Sequence, residues 1–237
     1  MSVVGLDFGT QNAVIASAGR GGVDVILNGN SQRLNPCMVG FQDSRYMGED
    51  AQSKSTSNYK NTVTCMKRLV GLSFTDPRAQ KEMAMLPLTF VPSKNGGVAV
   101  EVSYSGLSGP EDDGDSKVAV PIEHVAGMMV QHMGEIASKA AGDGVAVSDW
   151  VVAVPGYYTD AQKRAFLSGC EVVGITNVLR LMHDHTATAL AYGIFKDIKK
   201  EFDAEKPTNV MFLDMGYANY SATICTFVPG KLIVKSA

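Results

Sequence analysis

Cysteine is scarce in this chain and never paired by spacing. Cys37, Cys65, Cys170 and Cys225 are scattered with no C-x-x-C among them, which argues against a disulfide scaffold. Beside twelve methionines, they point to a reduced, intracellular chain. Long apolar runs are lacking too, and nothing approaches the length of a membrane span. The apolar start VVGLDFG is short, broken by glycine and aspartate, and has no basic region before it, so it does not read as a signal peptide. No basic run and no basic–aromatic interleaving occurs, and a net charge of −3 gives nucleic acid little to bind. No Ser-His-Asp or Cys-His set stands in a context suited to covalent catalysis. His183 and His185 invite a metal reading, but side chains at i and i+2 diverge on a strand or a helix. What remains is an ordinary globular composition, 45% apolar and 19% charged over 237 residues, long enough for one large domain or two compact ones.

The residues then order themselves. VVGLD (3–7), NAVIASA (12–18) and GVDVILNG (22–29) are short β-type runs divided by glycine-bearing turns, which predicts a three-stranded meander. A polar, irregular region follows to about Lys117. It holds a predicted helix over 51–66, strands over 88–91 and 98–104, and a solvated acidic loop, GPEDDGDSK, at 109–117. From Pro121, a proline suited to the first helical position, apolar residues recur three and four apart. Met128, Met129 and Met133 belong to that pattern as core packing. The β-branched run DWVVAVP (149–155), a helix over 159–173, a second buried strand NVLRLM (177–182) and a helix over 186–201 follow. Strand, helix, strand, helix predicts a parallel sheet with crossover helices. The helix after HDHT would be capped by Asp184 or Thr186.

After DAEKPT (203–208) the opening pattern returns. VVGLDFGTQNAVIAS and VMFLDMGYANYSATI both read as apolar strand, Asp-x-Gly turn, apolar strand. A lone Asp-x-Gly turn is weak evidence of phosphate binding, but two copies in similar halves are stronger. Gly9 and Gly216 would let backbone amides approach phosphate oxygens. Thr10, Gln11 and Asn12 add polar side chains, and Asp7 and Asp214 at strand ends suit water-coordinated Mg²⁺ between two facing hairpins. The duplication implies one complete half and the opening of another.

These motifs resemble the nucleotide-binding domain of the heat shock protein 70 superfamily, within the actin and sugar-kinase fold, over nearly the whole chain. GLDFGTQNAV resembles the first phosphate loop, and KNTVTCMKRLVG (60–71) the segment whose catalytic lysine falls on Lys67. WVVAVPGYYTDAQKRA (150–165) resembles the stretch that relays nucleotide state to the interdomain surface, through Pro155 and Lys163. VLRLMHDHTATALAYGI (178–194) resembles the signature strand and helix, and FLDMGYANYS (212–221) the second phosphate loop. The resemblance implies an α/β, actin-like ATPase (ribonuclease H-like) fold with its first lobe complete and its second only begun. Lobe I would span 1–185, with 1–36 and 118–185 as inner subdomain and 37–117 as an outer insertion; 186–237 would open lobe II. It also implies ATP or ADP with Mg²⁺ as ligands, Asp7 and Asp214 holding the metal through water. Lys67 and Asp184 would keep a residual catalytic role, and Gly9, Thr10, Gln11, Asn12, Lys67, Asp214, Gly216 and Tyr217 would hold nucleotide.

The departures from the family pattern select a branch. The second loop of most members reads Asp-Leu-Gly-Gly-Gly-Thr, with a further aspartate two residues on. Here Tyr217, Ala218 and Asn219 replace the small residues, and Ser221 the second aspartate. A side chain on a glycine at positive φ would cost roughly 1–2 kcal/mol, which implies a different loop backbone or a displaced ligand. HDHT stands for Asn-Glu-Pro-Thr, so Asp184 is one methylene shorter than the usual glutamate, and Lys163 stands where arginine is usual. The pattern is similar to the heat shock protein 110 branch. It implies a cytoplasmic nucleotide-exchange factor and holdase with weak or absent ATP hydrolysis. Its partners would be the nucleotide-binding domain of heat shock protein 70 and, through regions absent from this chain, unfolded clients. The alternatives are an ATP-hydrolysing chaperone with a divergent loop and, more remotely, a sugar-kinase-like phosphotransferase.

Overall fold

The computed structural model describes residues 3–19, 22–107, 117–142 and 145–236; all but the last residue of the acidic tract at 109–117 lies outside them. The chain opens with the expected meander, β1 (Val3–Phe8), β2 (Asn12–Gly19) and β3 (Gly22–Val25). Short pieces follow: β4 (Asn35–Pro36), β5 (Val39–Phe41), β6 (Arg45–Met47) and α1 (Glu49–Lys54). Next come β7 (Thr62–Val63), α2 (Pro77–Met83), β8 (Thr89–Pro92), β9 (Val98–Ser103) and β10 (Lys117–Pro121). The second half runs α3 (Ile122–Ala141), β11 (Asp149–Val154), α4 (Asp160–Val172), β12 (Val178–His183) and α5 (Asp184–Ile198). It ends in a second meander, β13 (Thr208–Met215), β14 (Tyr220–Val228) and β15 (Lys231–Ser236).

The central sheet has the order β12-β11-β1-β2-β3, with β4 joined to β2. β11 is parallel to both β1 and β12, in the registers Asp7↔Ala153 and Val154↔His183. The parallel arrangement therefore brings the C-terminal ends of three strands to one edge, where ligands of open α/β sheets bind. Period-two alternation buries Val4, Leu6 and Phe8 of β1 against α3 and α4, with the Phe8 and Phe166 rings 5.4 Å apart. The three-stranded antiparallel sheet β13-β14-β15 forms a second, smaller core with α5 around Ala189, Cys225 and Phe227. Because α5 also contacts β11 and β12, it links the two sheets.

Several expected boundaries move. The helix expected over 51–66 stops at Lys54, and 3₁₀ turns occupy Tyr59–Asn61 and Met66–Arg68. In SKSTSN the short polar side chains compete for backbone hydrogen bonds, as Ser55 and Ser57 do by donating to the Gln52 and Lys54 carbonyls. Pro121 ends β10 and caps α3 rather than entering it. The cap of α5 is His183, and Asp184 is its first helical residue. β12 is not a buried strand: it edges the sheet and leaves Leu179 and Arg180 exposed. The helix after 159 agrees with its expected span, since Thr159 and Gln162 form a reciprocal capping box. Met129 and Met133 are fully buried, and Met128 packs partly buried against the same core.

α3 and α4 meet backbone to backbone. A Cβ on Gly127 would lie 2.0 Å from the Gly169 carbonyl oxygen, and one on Gly169 would lie 2.1 Å from that of Glu123. Neither backbone can yield without parting the helices, so Gly127→Ala or Gly169→Ala is expected to destabilise the fold by about 2–4 kcal/mol, at or above the usual overpacking range. Urea unfolding of each variant measures it; a loss no larger than for Gly29→Ala, an exposed position where nothing lies within 4 Å and φ is not positive, would contradict the close packing.

Candidate functional site

The C-terminal edge of the sheet faces a cleft of ≈ 1080 Å³. Asp7, Gly9, Thr10, Gln11, Asn12, Lys67, Asp184, Asp214, Gly216 and Tyr217 all line it. Every residue expected to touch nucleotide or metal thus opens onto one space. A smaller cavity of ≈ 160 Å³ under α5 has a mainly apolar lining and offers no such convergence.

Lys67 enters the cleft from the Met66–Arg68 turn, a short 3₁₀ segment that is part of no longer helix or sheet and packs against α3. The turn is also held by its main chain. The Tyr158 hydroxyl donates to the Lys67 carbonyl, Gln162 Nε2 donates to the Val70 carbonyl at 3.1 Å, and the Gly71 amide donates to Glu123 at 3.3 Å. Two left-handed residues, Cys65 at φ 54° and Gly71 at φ 68°, bend the chain on either side. Gly71 suits that conformation; Cys65 adopts it against the usual steric preference. Lys67 is left only 5% exposed.

Charge in the cleft is unbalanced. Burial holds the Lys67 amine below its ordinary pKa, against the pull of Asp7, Asp184 and Asp214. Asp7 is pushed above the carboxylate range, first by its enclosure among protein atoms, with Lys67 opposing and Asp184 and Asp214 adding repulsion. Water still reaches Asp7 through the open cleft, so solvent screening limits the energetic cost. One buried ammonium against three carboxylates leaves an excess of negative charge, which suits a divalent cation. Among the described residues no three His, Cys, Asp or Glu side chains converge to grip an ion directly. Asp7 and Asp214 both line this cleft.

The two hairpins differ in tightness. A Cβ on Gly9 would lie 2.1 Å from the Asn12 carbonyl oxygen, so the first loop's own backbone demands glycine. On Gly216 it would meet only the Asn219 oxygen, at 3.7 Å. Gly216, Tyr217, Ala218 and Asn219 all avoid positive φ, so the loop backbone accommodates these side chains without the cost of a left-handed residue. The Gly216 amide donates to the Asn219 carbonyl at 2.9 Å to close the loop, and Tyr217 stands 67% exposed at its tip.

Pro155 and Lys163 are not cleft-lining residues, and no hydrogen bond among the described residues joins them. The Pro155 carbonyl accepts from the Tyr158 amide at 3.1 Å. Lys163 donates to His183 Nε2 at 2.9 Å. Burial, the Lys163 ammonium and His185 together hold His183 below its ordinary pKa, against Asp184. Sequence reasoning missed Arg68 and Tyr157, which contact the second loop: Arg68 Nη1 donates to the Ala218 carbonyl and to Asn219 Oδ1, and Asn219 Nδ2 donates to the Tyr157 hydroxyl oxygen. The adjacency of Arg68 to Lys67 was the one available signal.

A carboxylate with a raised folded-state pKa contributes stability below its unfolded value and loses it as pH rises through the folded one. Asp7→Asn should therefore abolish part of the loss of stability that sets in as pH rises above the ordinary carboxylate value of about 4, and raise Tm at neutral pH by about 1–3 °C without Mg²⁺, after discounting for solvent. Thermal melts of both proteins across that range test this; an Asp7→Asn protein less stable than wild type at pH 7 would contradict it.

Comparison with known proteins agrees with this arrangement. The family model described as Hsp70 protein matches residues 3–237. Heat shock protein hsp88 of Neurospora crassa is 41% identical over the whole chain, which covers 32% of that relative. Heat shock protein 110 of Caenorhabditis elegans is 40% identical over 98% of the chain and 29% of its own length. Heat shock 70 kDa protein 16 of Arabidopsis thaliana is 36% identical over the whole chain and 29% of its own length. The chain spans less than a third of each of these relatives. With a mixed α/β fold, paired Asp-x-Gly hairpins and a family match along its length, the chain belongs to the Hsp70 family, on the branch that includes heat shock protein 110.

Proposed function

We propose that this chain is the nucleotide-holding part of a heat shock protein 110-like co-chaperone, in which bound ATP serves as a clasp more than as a fuel. The observation that carries this is the unequal pair of hairpins around one cleft. The first keeps Gly9, Thr10, Gln11 and Asn12 against a buried Lys67. The second keeps Asp214 and Gly216 but offers Asn219 and Ser221 where the family pattern has a hydroxyl and a carboxylate. Binding groups remain, while two groups suited to positioning a γ-phosphate, metal or attacking water are gone.

Backbone amides of both loops would approach phosphate oxygens, and Lys67 would oppose their negative charge. Asp7 and Asp214 would orient the water shell of Mg²⁺, which when bound neutralises the carboxylates facing the phosphates. Nucleotide contacting both hairpins would favour the conformation in which they face each other, a population shift that needs no turnover. That conformation would present the surface that engages the nucleotide-binding domain of heat shock protein 70 and speeds its ADP release. Clients would be held by parts of the protein outside this chain, and the cytoplasm is the compartment that its unpaired cysteines fit. No helix among the described residues is long and apolar enough to cross a membrane.

Single-turnover ATP hydrolysis, measured on the chain within its full-length protein, tests the clasp. The expected rate is about tenfold or more below that of an Hsp70 with an intact second loop, and Asn219→Thr with Ser221→Asp should recover at least part of it. Hydrolysis as fast as in that Hsp70 would instead favour an ATP-driven chaperone. The exchange role predicts faster ADP release from an Hsp70 partner on addition of the same protein. No acceleration in either nucleotide state would overturn it.

A further inference from the structure

We propose that Arg68, Asn219 and Tyr157 form a latch that holds the tip of the second hairpin in place without nucleotide. It rests on the proposed function only for its purpose, because its geometry involves protein atoms alone. An asparagine amide offers one accepting oxygen and one donating nitrogen, and here both are engaged. Oδ1 accepts from Arg68 Nη1 at 2.6 Å, and Nδ2 donates to the Tyr157 hydroxyl oxygen at 3.2 Å. The same Nη1 donates to the Ala218 carbonyl at 2.7 Å. Three segments far apart in sequence meet at one side chain.

Arg68 is itself anchored. Its Nη2 donates to Glu82 on α2, in an ion pair whose side chains are 24% and 12% exposed. A planar guanidinium held at one nitrogen presents the other in a fixed direction, and charge-assisted bonds of this kind are among the stronger ones. One cost opposes them: Arg68 Nε is enclosed with no acceptor. The three bonds from Nη1 and Nη2 outnumber it. The Asn219 carbonyl is also taken, by the Gly216 amide. The loop therefore reaches the cleft with the Asn219 amide already committed to protein, and its position does not require a phosphate to bridge it. Arg68 is a positioning residue: it acts on the cleft through the loop that carries Gly216 and Tyr217.

Hydrogen–deuterium exchange of the nucleotide-free chain tests the latch, reading residues 216–220 against the α4 amides of 160–172. Arg68→Met and Asn219→Leu should each speed exchange over 216–220 by about tenfold or more and leave α4 unchanged. Asn219→Asp should stay within about threefold of wild type, because a carboxylate still accepts from Arg68 and can accept from the Tyr157 hydroxyl. Should the Arg68 variant also lose α4 protection, Tyr157→Phe decides, since it removes only one oxygen: faster exchange at 216–220 supports the latch and unchanged exchange overturns it. Unchanged exchange in Asn219→Leu, loosening in Asn219→Asp as large as in Asn219→Leu, or a wild-type loop that gains protection only with MgATP would each overturn it. Failure of the chain to bind nucleotide at all would count against the proposed function and leave these results standing.

Discussion

Lys67 is carried into the cleft by a turn of three residues that cannot hold itself in place. The Tyr158 hydroxyl on its carbonyl, the Gln162 amide on that of Val70 and the Glu123 carboxylate on the Gly71 amide do that work from outside the turn. Tyr158 and Gln162 belong to α4 or the segment entering it, and Glu123 to α3. Those helices keep their spacing because Gly127 and Gly169 let their backbones touch. The position of the site's one buried cation therefore rests on a glycine contact between two helices. A shift of α3 against α4 would pass to Lys67 through bonds to the main chain of its turn, which have little slack.

The electrostatics pull the other way. Burial raises the Asp7 pKa and lowers that of Lys67, and the attraction between the two charges offsets only part of that desolvation. Such a site gains from a cation and from phosphate oxygens placed between its two signs of charge. The same groups whose charged forms burial disfavours are those that would face Mg²⁺ and nucleotide.

The second hairpin carries larger side chains than the family pattern without backbone strain. It is one residue longer between its strands than the first, with 216–219 in place of 9–11. No residue in it needs positive φ. Tyr217 extends outward, and Asn219 turns toward Arg68 and Tyr157. Asn219, which stands where the family pattern has a hydroxyl residue, ties the loop to Arg68 and Tyr157.

Local patterning made much of this legible. Alternating burial in β1, the capping box of Thr159 and Gln162, and the twice-repeated Asp-x-Gly turn depend on neighbours a few residues away, and the sequence alone determined them. The repeated turn singled out Asp7 and Asp214, and the family resemblance added Lys67 and Asp184. The sequence did not reveal that α1 would end at Lys54, where competing serine side chains outweigh apolar spacing, or that β12 would lie at a half-exposed edge. The approach of Gly127 to Gly169 and the engagement of Asn219 by Arg68, 151 residues away, were decided by tertiary structure. Chain spacing says nothing about which distant backbones will touch, and a guanidinium has no visible partner until the fold brings one within hydrogen-bonding reach.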